Sequence, residues 1–189
     1  MKDFYEMQIA GLTRQLPVCK LTQDLCIAGF VIFGDPELTV AAAAELVKRM
    51  PEHDYMITAE AKGIPLIHEM ARQAGEKKYI LARKAEKVYM RDVFHVTVNS
   101  ITTRFQQTLY LDGADAALMK GKKILVVDDV ISTGESLRAI EALVEAAGGT
   151  VCGRMTILAE GDAANRDDII YLEKLPMFDS EGEPIEQAV

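Results

Sequence analysis

Residues 124 to 136 read Ile-Leu-Val-Val-Asp-Asp-Val-Ile-Ser-Thr-Gly-Glu-Ser and concentrate side chains that could do chemistry. Four apolar residues, Ile124, Leu125, Val126 and Val127, predict a buried strand with Asp128 and Asp129 emerging at its carboxyl end. In an open α/β sheet that end is where ligands bind. Two adjacent carboxylates repel unless something polar or cationic meets them, and a vicinal diol with a Mg²⁺ ion nearby would do so. The next residues, Val130, Ser132, Thr133, Gly134, Glu135 and Ser136, combine small hydroxyls with a glycine and run into a helix N-terminus. Unpaired backbone N–H groups and the helix dipole at such a place suit a phosphate monoester.

Two further clusters carry charge of the opposite sign. Thr58-Ala59-Glu60-Ala61-Lys62-Gly63-Ile64 follows one predicted strand and opens a helix, so Lys62 and Gly63 could meet a diphosphate at a strand-to-helix turn. Arg83-Lys84-Ala85-Glu86-Lys87 places Arg83, Lys84 and Lys87 within five residues, enough positive charge for the same group. Taken alone, the first reads better as an ordinary helix start with a solvated lysine, and the second has a solvated loop as its alternative. Their position before residues 124 to 136 gives them weight. His53, His68 and His95 share no metal-ligand spacing, so no protein-held metal is expected. Gly-x-Ser-x-Gly, Walker A and Gly-x-Gly-x-x-Gly motifs do not occur.

These residues need a scaffold, and between Pro36 and Leu158 short β-branched runs alternate with segments of helical period. The pattern predicts an α/β fold: a central, mostly parallel sheet flanked by helices. Asp35 caps a helix with Pro36 at its first position, running until Pro51; a second helix ends at Gly75, and a third at Gly148 and Gly149. Strands are expected over residues 55 to 58, 79 to 82, 123 to 127 and 150 to 158. Residues 87 to 111 alternate polar and apolar positions and predict an exposed antiparallel hairpin. Outside the core, which spans about residues 35 to 160, two short strand-like runs at 26 to 33 and 169 to 172 are expected to pack together. They would form a small lobe, or hood, from residues 1 to 34 and 160 to 189, within one domain of 189 residues.

Composition removes several classes. With 21 basic and 29 acidic residues the net charge is −8, the wrong sign for a partner of nucleic acid. Three cysteines without paired spacing, and an N-terminus without an apolar signal core, predict a reducing, cytoplasmic setting. No apolar run is long enough to span a bilayer, so no membrane partner is expected.

Residues 124 to 136 resemble the 5-phosphoribosyl-1-pyrophosphate (PRPP) signature of type I phosphoribosyltransferases, and the resemblance extends over roughly residues 15 to 160, most like the adenine and purine enzymes. It implies a pentosyltransferase that moves the phosphoribosyl group of PRPP to a purine base, adenine-like or xanthine-like, releasing pyrophosphate. On that resemblance Asp128 and Asp129 are the catalytic pair holding the ribose hydroxyls, and Val130, Ser132, Thr133, Gly134, Glu135 and Ser136 bind the 5-phosphate. Lys62, Gly63, Arg83, Lys84 and Lys87 meet the pyrophosphate, with Lys62 standing where the family has arginine, and Mg²⁺ arrives bound to PRPP. Leu16 to Leu21 resemble the start of the family's hood, making Val18, Cys19 and Lys20 the candidate base contacts. The resemblance also implies a homodimer, a cis Ala61–Lys62 peptide and a lid over residues 88 to 111. In that lid Thr103-Arg104-Phe105 replaces the family's Glu-Tyr-Gly, so the general acid or base is not identified. Two other readings stay open: an enzyme acting on orotate or another pyrimidine, and a PRPP-binding regulator without transferase activity.

Overall fold

A computed structural model describes residues 2 to 99 and 106 to 185. In chain order the elements are β1 (Phe4–Ile9), β2 (Leu12–Lys20), β3 (Cys26–Ala28), α1 (Pro36–Val47), β4 (Tyr55–Ala59), α2 (Gly63–Ala74) and β5 (Ile80–Ala82). There follow β6 (Phe94–Asn99), β7 (Gln106–Leu111), α3 (Gly113–Met119), β8 (Lys123–Ile131), α4 (Glu135–Ala146), β9 (Thr150–Glu160), a 3₁₀ turn (Gly161–Asn165) and β10 (Ile170–Leu175).

Five strands pair in parallel in the order β10-β9-β8-β4-β5. The α/β expectation therefore holds. In β8 the alternation sorts side chains to two cores: Leu125 and Val127 join α1 and α2, while Ile124 and Val126 join α4 and the hairpin residues Leu109 and Leu111. Apolar residues on both faces of a strand are what a parallel sheet covered on both sides requires. The chain winds outward from β4 to β5 in one direction and from β8 through β9 to β10 in the other. Such a reversal leaves a crevice beyond the carboxyl ends of the two strands at the switch, β4 and β8.

Four boundaries differ from expectation. The strand at 123 to 127 continues to Ile131, because β9 pairs with it as far as Ile131 opposite Ala159, so Asp128 and Asp129 lie within the strand. The helix begun at Pro36 ends at Val47, where the Arg49 and Met50 N–H groups turn back to Leu46 and Val47. The run at 26 to 33 is a strand only through Ala28. The run at 169 to 172 does not join the small lobe: as β10 it extends the central sheet, paired with β9, and buries Leu175.

The small lobe is built instead from a three-stranded antiparallel sheet, β1-β2-β3. Ala10 and Gly11, both at positive φ, make the two-residue turn between β1 and β2. The lobe is closed by residue 178: Phe178 exchanges backbone hydrogen bonds with Cys26, is fully buried, and meets Tyr5 edge-on at 4.9 Å. Arg14 of β2 joins this lobe to α1 through Asp35, donating from Nε to Oδ2 at 2.6 Å and from Nη2 to Oδ1 at 3.1 Å. Asp35 also caps α1, accepting the Leu38 N–H at 3.0 Å.

The Arg14 guanidinium, backed by the Leu38 N–H, holds the Asp35 carboxyl below its ordinary range. Its contribution is therefore present above the ordinary carboxylate pKa and lost as pH falls through the lowered one. Replacing Asp35 with Ala should cost about 1 kcal/mol or more in urea denaturation at pH 7 through the lost cap. The difference from wild type should shrink in acid, and an unchanged midpoint at pH 7 would show that the cap is not needed.

Candidate active site

The crevice between β4 and β8 is floored by two carboxylates on successive residues of one strand. Asp129 is buried, 3 % exposed, while Asp128 is partly buried. Lys62, at the start of α2, places Nζ 3.0 Å from Asp129 Oδ2, and its Nζ also donates to the Phe30 carbonyl at 3.5 Å. Asp129 Oδ2 makes no hydrogen bond of its own, and neither does Thr58 Oγ1 beside it in β4. Burial, and then the neighbouring Asp129 charge, push the Asp128 carboxyl up to about 7, while the Asp129 N–H at 2.9 Å and Lys62 act against that rise. The pair is thus short of positive charge in the ligand-free chain.

Close approach of α2 to β8 creates this geometry. A Cβ on Gly63 would lie 2.2 Å from Thr58 Oγ1 and 3.1 Å from Asp128 Oδ1, so only a glycine lets the helix start there. The cis peptide in this loop is Glu60–Ala61, one residue before the expected Ala61–Lys62.

The predicted phosphate residues come together as expected of a loop opening a helix. Val130, Ser132, Thr133, Gly134, Glu135 and Ser136 line, with Asp128, one cavity of about 120 Å³ at the start of α4. Gly134 takes φ 76° at the helix N-cap, and the Arg166 Nη1 sits 3.3 Å from where a Cβ would stand. Glu160, the last residue of β9, is buried beside this loop. Burial raises its pKa, while a Ser132 hydrogen bond and the charge of Lys62 oppose the rise.

On the opposite side of the crevice, Arg83 is already engaged. It donates from Nη1 to Glu60 Oε1 at 2.7 Å and from Nη2 to the Tyr89 hydroxyl at 2.6 Å. Lys84 is exposed and Lys87 half-buried, and no ion pair joins either to a described carboxylate. Val18, Cys19 and Lys20 lie in β2, paired with Ala28, Ile27 and Cys26, with the Val18 side chain buried and the other two exposed. Their sheet reaches the site through Phe30, whose carbonyl meets Lys62. Thr103, Arg104 and Phe105 lie outside the described residues.

Sequence reasoning missed Glu60, Tyr89, Glu160 and Arg166. Glu60 was visible inside the motif with Lys62, but its partner Arg83 is 23 residues away. Glu160 carried a signal as well, an acidic residue ending an apolar strand, where a buried carboxylate needs a partner.

A profile of the phosphoribosyl transferase domain matches residues 37 to 179, most of the chain, including β4, α2, the loop after β5, β8 and α4. The chain belongs to the phosphoribosyltransferase family. A hypoxanthine/guanine phosphoribosyltransferase of Methanococcus maripaludis (strain C6) is 32% identical over 132 residues, covering 69% of this chain and 67% of the relative. That of Methanotorris igneus is 30% identical over 130 residues, covering 68% and 67%. Among solved structures, adenine phosphoribosyltransferase from Thermoanaerobacter pseudethanolicus aligns with TM-score 0.64 at 18% identity, covering 92% of this chain and 96% of that one. The adenine phosphoribosyltransferase of Leishmania donovani gives TM-score 0.64 at 20% identity, covering 91% and 76%. At these identities the structures share the phosphoribosyltransferase fold, with its parallel sheet and flanking helices.

Two outcomes follow for this phosphoribosyltransferase site. Gly63→Ala should destabilise the chain by about 2 kcal/mol in chemical denaturation, and Thr58→Ala in the same chain should recover part of it by removing the oxygen the new methyl strikes. Equal stability of Gly63→Ala and wild type would mean that α2 does not pack this closely. Because Asp128 is raised from 3.8 to about 7, ligand-free stability should fall as pH rises across that window. Asp128→Asn should flatten the fall and raise the melting temperature at pH 8, and a melt at pH 8 below that of wild type would contradict the assignment.

Proposed function

We propose that this chain transfers the phosphoribosyl group of PRPP to a purine base, releasing pyrophosphate and a nucleoside monophosphate. The observation that carries the reading is the juxtaposition, across one crevice, of a carboxylate pair, a hydroxyl-rich loop at a helix N-terminus and a basic loop. Those three features match the three parts of PRPP: ribose diol, 5-phosphate and diphosphate. The curated relatives, named for hypoxanthine and guanine, favour a purine over orotate or another pyrimidine.

Asp128 and Asp129 would accept the ribose hydroxyls as they turn toward the crevice. A pair held short of positive charge, one member raised by burial, gains from hydroxyl donors or a cation and is poorly suited to a second anion. The phosphate would take the N–H groups at the start of α4 with the hydroxyls of Ser132, Thr133 and Ser136, and Val130, Gly134 and Glu135 shape that cavity. The diphosphate end falls to Lys62 at the turn opened by Gly63 and to the basic loop of Arg83, Lys84 and Lys87, in which the Arg83 guanidinium is already paired with Glu60. A Mg²⁺ ion bound to PRPP would supply charge neutralisation at the diphosphate, beside Lys62, Lys84 and Lys87. The C1–O bond to pyrophosphate breaks as the base nitrogen forms its bond to C1, and the protein contributes position and fixed charge. Backbone groups of Val18, Cys19 and Lys20 would read the base.

The same reading takes residues 1 to 189 as one domain, with the β1-β2-β3 lobe as a hood, the β6–β7 hairpin as a lid, and two copies pairing as a homodimer in the cytoplasm. Among the described residues no helix is long and apolar enough to cross a membrane.

A panel of adenine, hypoxanthine, guanine, xanthine and orotate with PRPP and Mg²⁺, read by pyrophosphate release, should give turnover with a purine. The double substitution Asp128→Asn with Asp129→Asn should cut that turnover by about a thousandfold or more while the melt stays cooperative. Turnover with orotate alone, or PRPP binding with no turnover for any base, would replace this reading with the pyrimidine or the regulatory one.

A further inference from the structure

Arg83 stands at a junction of three chain segments, and every group around it is already spoken for. Its N–H donates to the Tyr110 carbonyl at 2.8 Å and its own carbonyl accepts the Tyr110 N–H at 2.8 Å, a reciprocal bridge to strand β7 of the hairpin. Its guanidinium reaches in two directions, to Glu60 in the turn after β4 and to the hydroxyl of Tyr89 just before the hairpin. Glu60 is bound equally firmly to the same loop. Its second oxygen accepts the Lys84 N–H at 2.9 Å, and its own N–H donates to the Ala82 carbonyl at 2.9 Å.

This arrangement bears on which cations an anion would meet. A guanidinium paired at 2.7 Å with a carboxylate, both of them mostly buried, presents little net charge to a third party. To bind diphosphate directly it would have to release charge-assisted bonds to Glu60 and leave that carboxylate uncompensated. Lys84 and Lys87, on the same loop, face no such cost. The Glu60 carboxylate and the Arg83 backbone together fix where Lys84 begins.

We propose that Arg83 is a positioning residue: clamped between Glu60 and Tyr89, it ties the basic loop and the hairpin to the turn after β4, and leaves direct contact with diphosphate to Lys84 and Lys87. The proposal rests on the diphosphate reading of this crevice given above. It assigns Glu60 and Tyr89 a part in that site, as the two groups that hold Arg83. It also makes the hairpin mechanically continuous with the turn that carries Lys62, so order in one is order in the other.

The test pairs a titration with an exchange measurement on the full chain. Inorganic pyrophosphate with Mg²⁺ is titrated calorimetrically into wild type, Glu60→Gln, Tyr89→Phe, Arg83→Lys and Lys84→Ala, and amide hydrogen exchange is followed on each without ligand. The clamp predicts that Glu60→Gln and Tyr89→Phe each weaken pyrophosphate binding by about threefold or more and speed exchange over residues 82 to 84 and at Tyr110. Lys84→Ala should lose about tenfold in affinity with exchange unchanged, as expected for a cation that touches the ligand. Tighter pyrophosphate binding by Glu60→Gln would overturn the proposal, because it would mean that the carboxylate competes with ligand for a contacting Arg83. Unchanged exchange in both Glu60→Gln and Tyr89→Phe would overturn it as well. If wild type binds no pyrophosphate, the diphosphate reading of the crevice falls, and the exchange arm still decides whether the clamp exists.

Discussion

The structure depends on two carboxylates being kept side by side on one strand with, among the described residues, Lys62 paired to one of them. Asp128 and Asp129 sit where the sheet changes winding direction, and burial there makes their repulsion expensive. Everything nearby reflects the effort to hold that pair in place. Gly63 lets α2 begin against β8, Lys62 then reaches Asp129, and the loop after β8 turns at once into α4. A chain that needed only a stable sheet would put valine or isoleucine at these positions. On the function proposed above, stability is given up so that a hydroxyl-bearing, cation-associated ligand finds acceptors already in place.

Much of the fold could be read from periodicity because the central strands are apolar on both faces and the helices carry clear caps. Asp35 with Pro36, and Gly75 at φ 73°, marked helix ends by chemistry that acts locally. The errors arose where long-range pairing decided the outcome. Asp128 and Asp129 are poor strand formers and interrupt the apolar run before Val130 and Ile131; pairing with β9 carries the strand across that interruption. Residues 169 to 172 looked like lobe material because they fall outside the strand-helix alternation of the core, yet an edge beside β9 was available to them. The β1–β2 hairpin was missed although its turn, Ala10-Gly11, lies between alternating residues; alanine at φ 50° is not the residue such a turn favours.

The candidate site was legible to the extent that its parts are contiguous. Residues 130 to 136 run without a break from the end of β8 into the start of α4 and therefore came together as read. Partners from different segments were invisible: Glu60 with Arg83, Tyr89 with Arg83, Glu160 with Ser132. A basic residue in a sequence advertises its charge and not whether a carboxylate has already consumed it. Arg83 belongs to a run that advertises positive charge and is the member of it paired with a carboxylate among the described residues.

The bond between Cys26 and Phe178 has a temporal side. These residues are about 150 positions apart, and the small lobe's sheet has no fully buried aromatic of its own to seal it until Phe178 arrives beside Tyr5. On a ribosome the first three strands emerge early and must wait, while the parallel sheet between them is laid down strand by strand. The lobe proposed to read the base thus acquires its native packing only after the central sheet has been made. Completion of the base-reading end reports that every strand of the central sheet has been made.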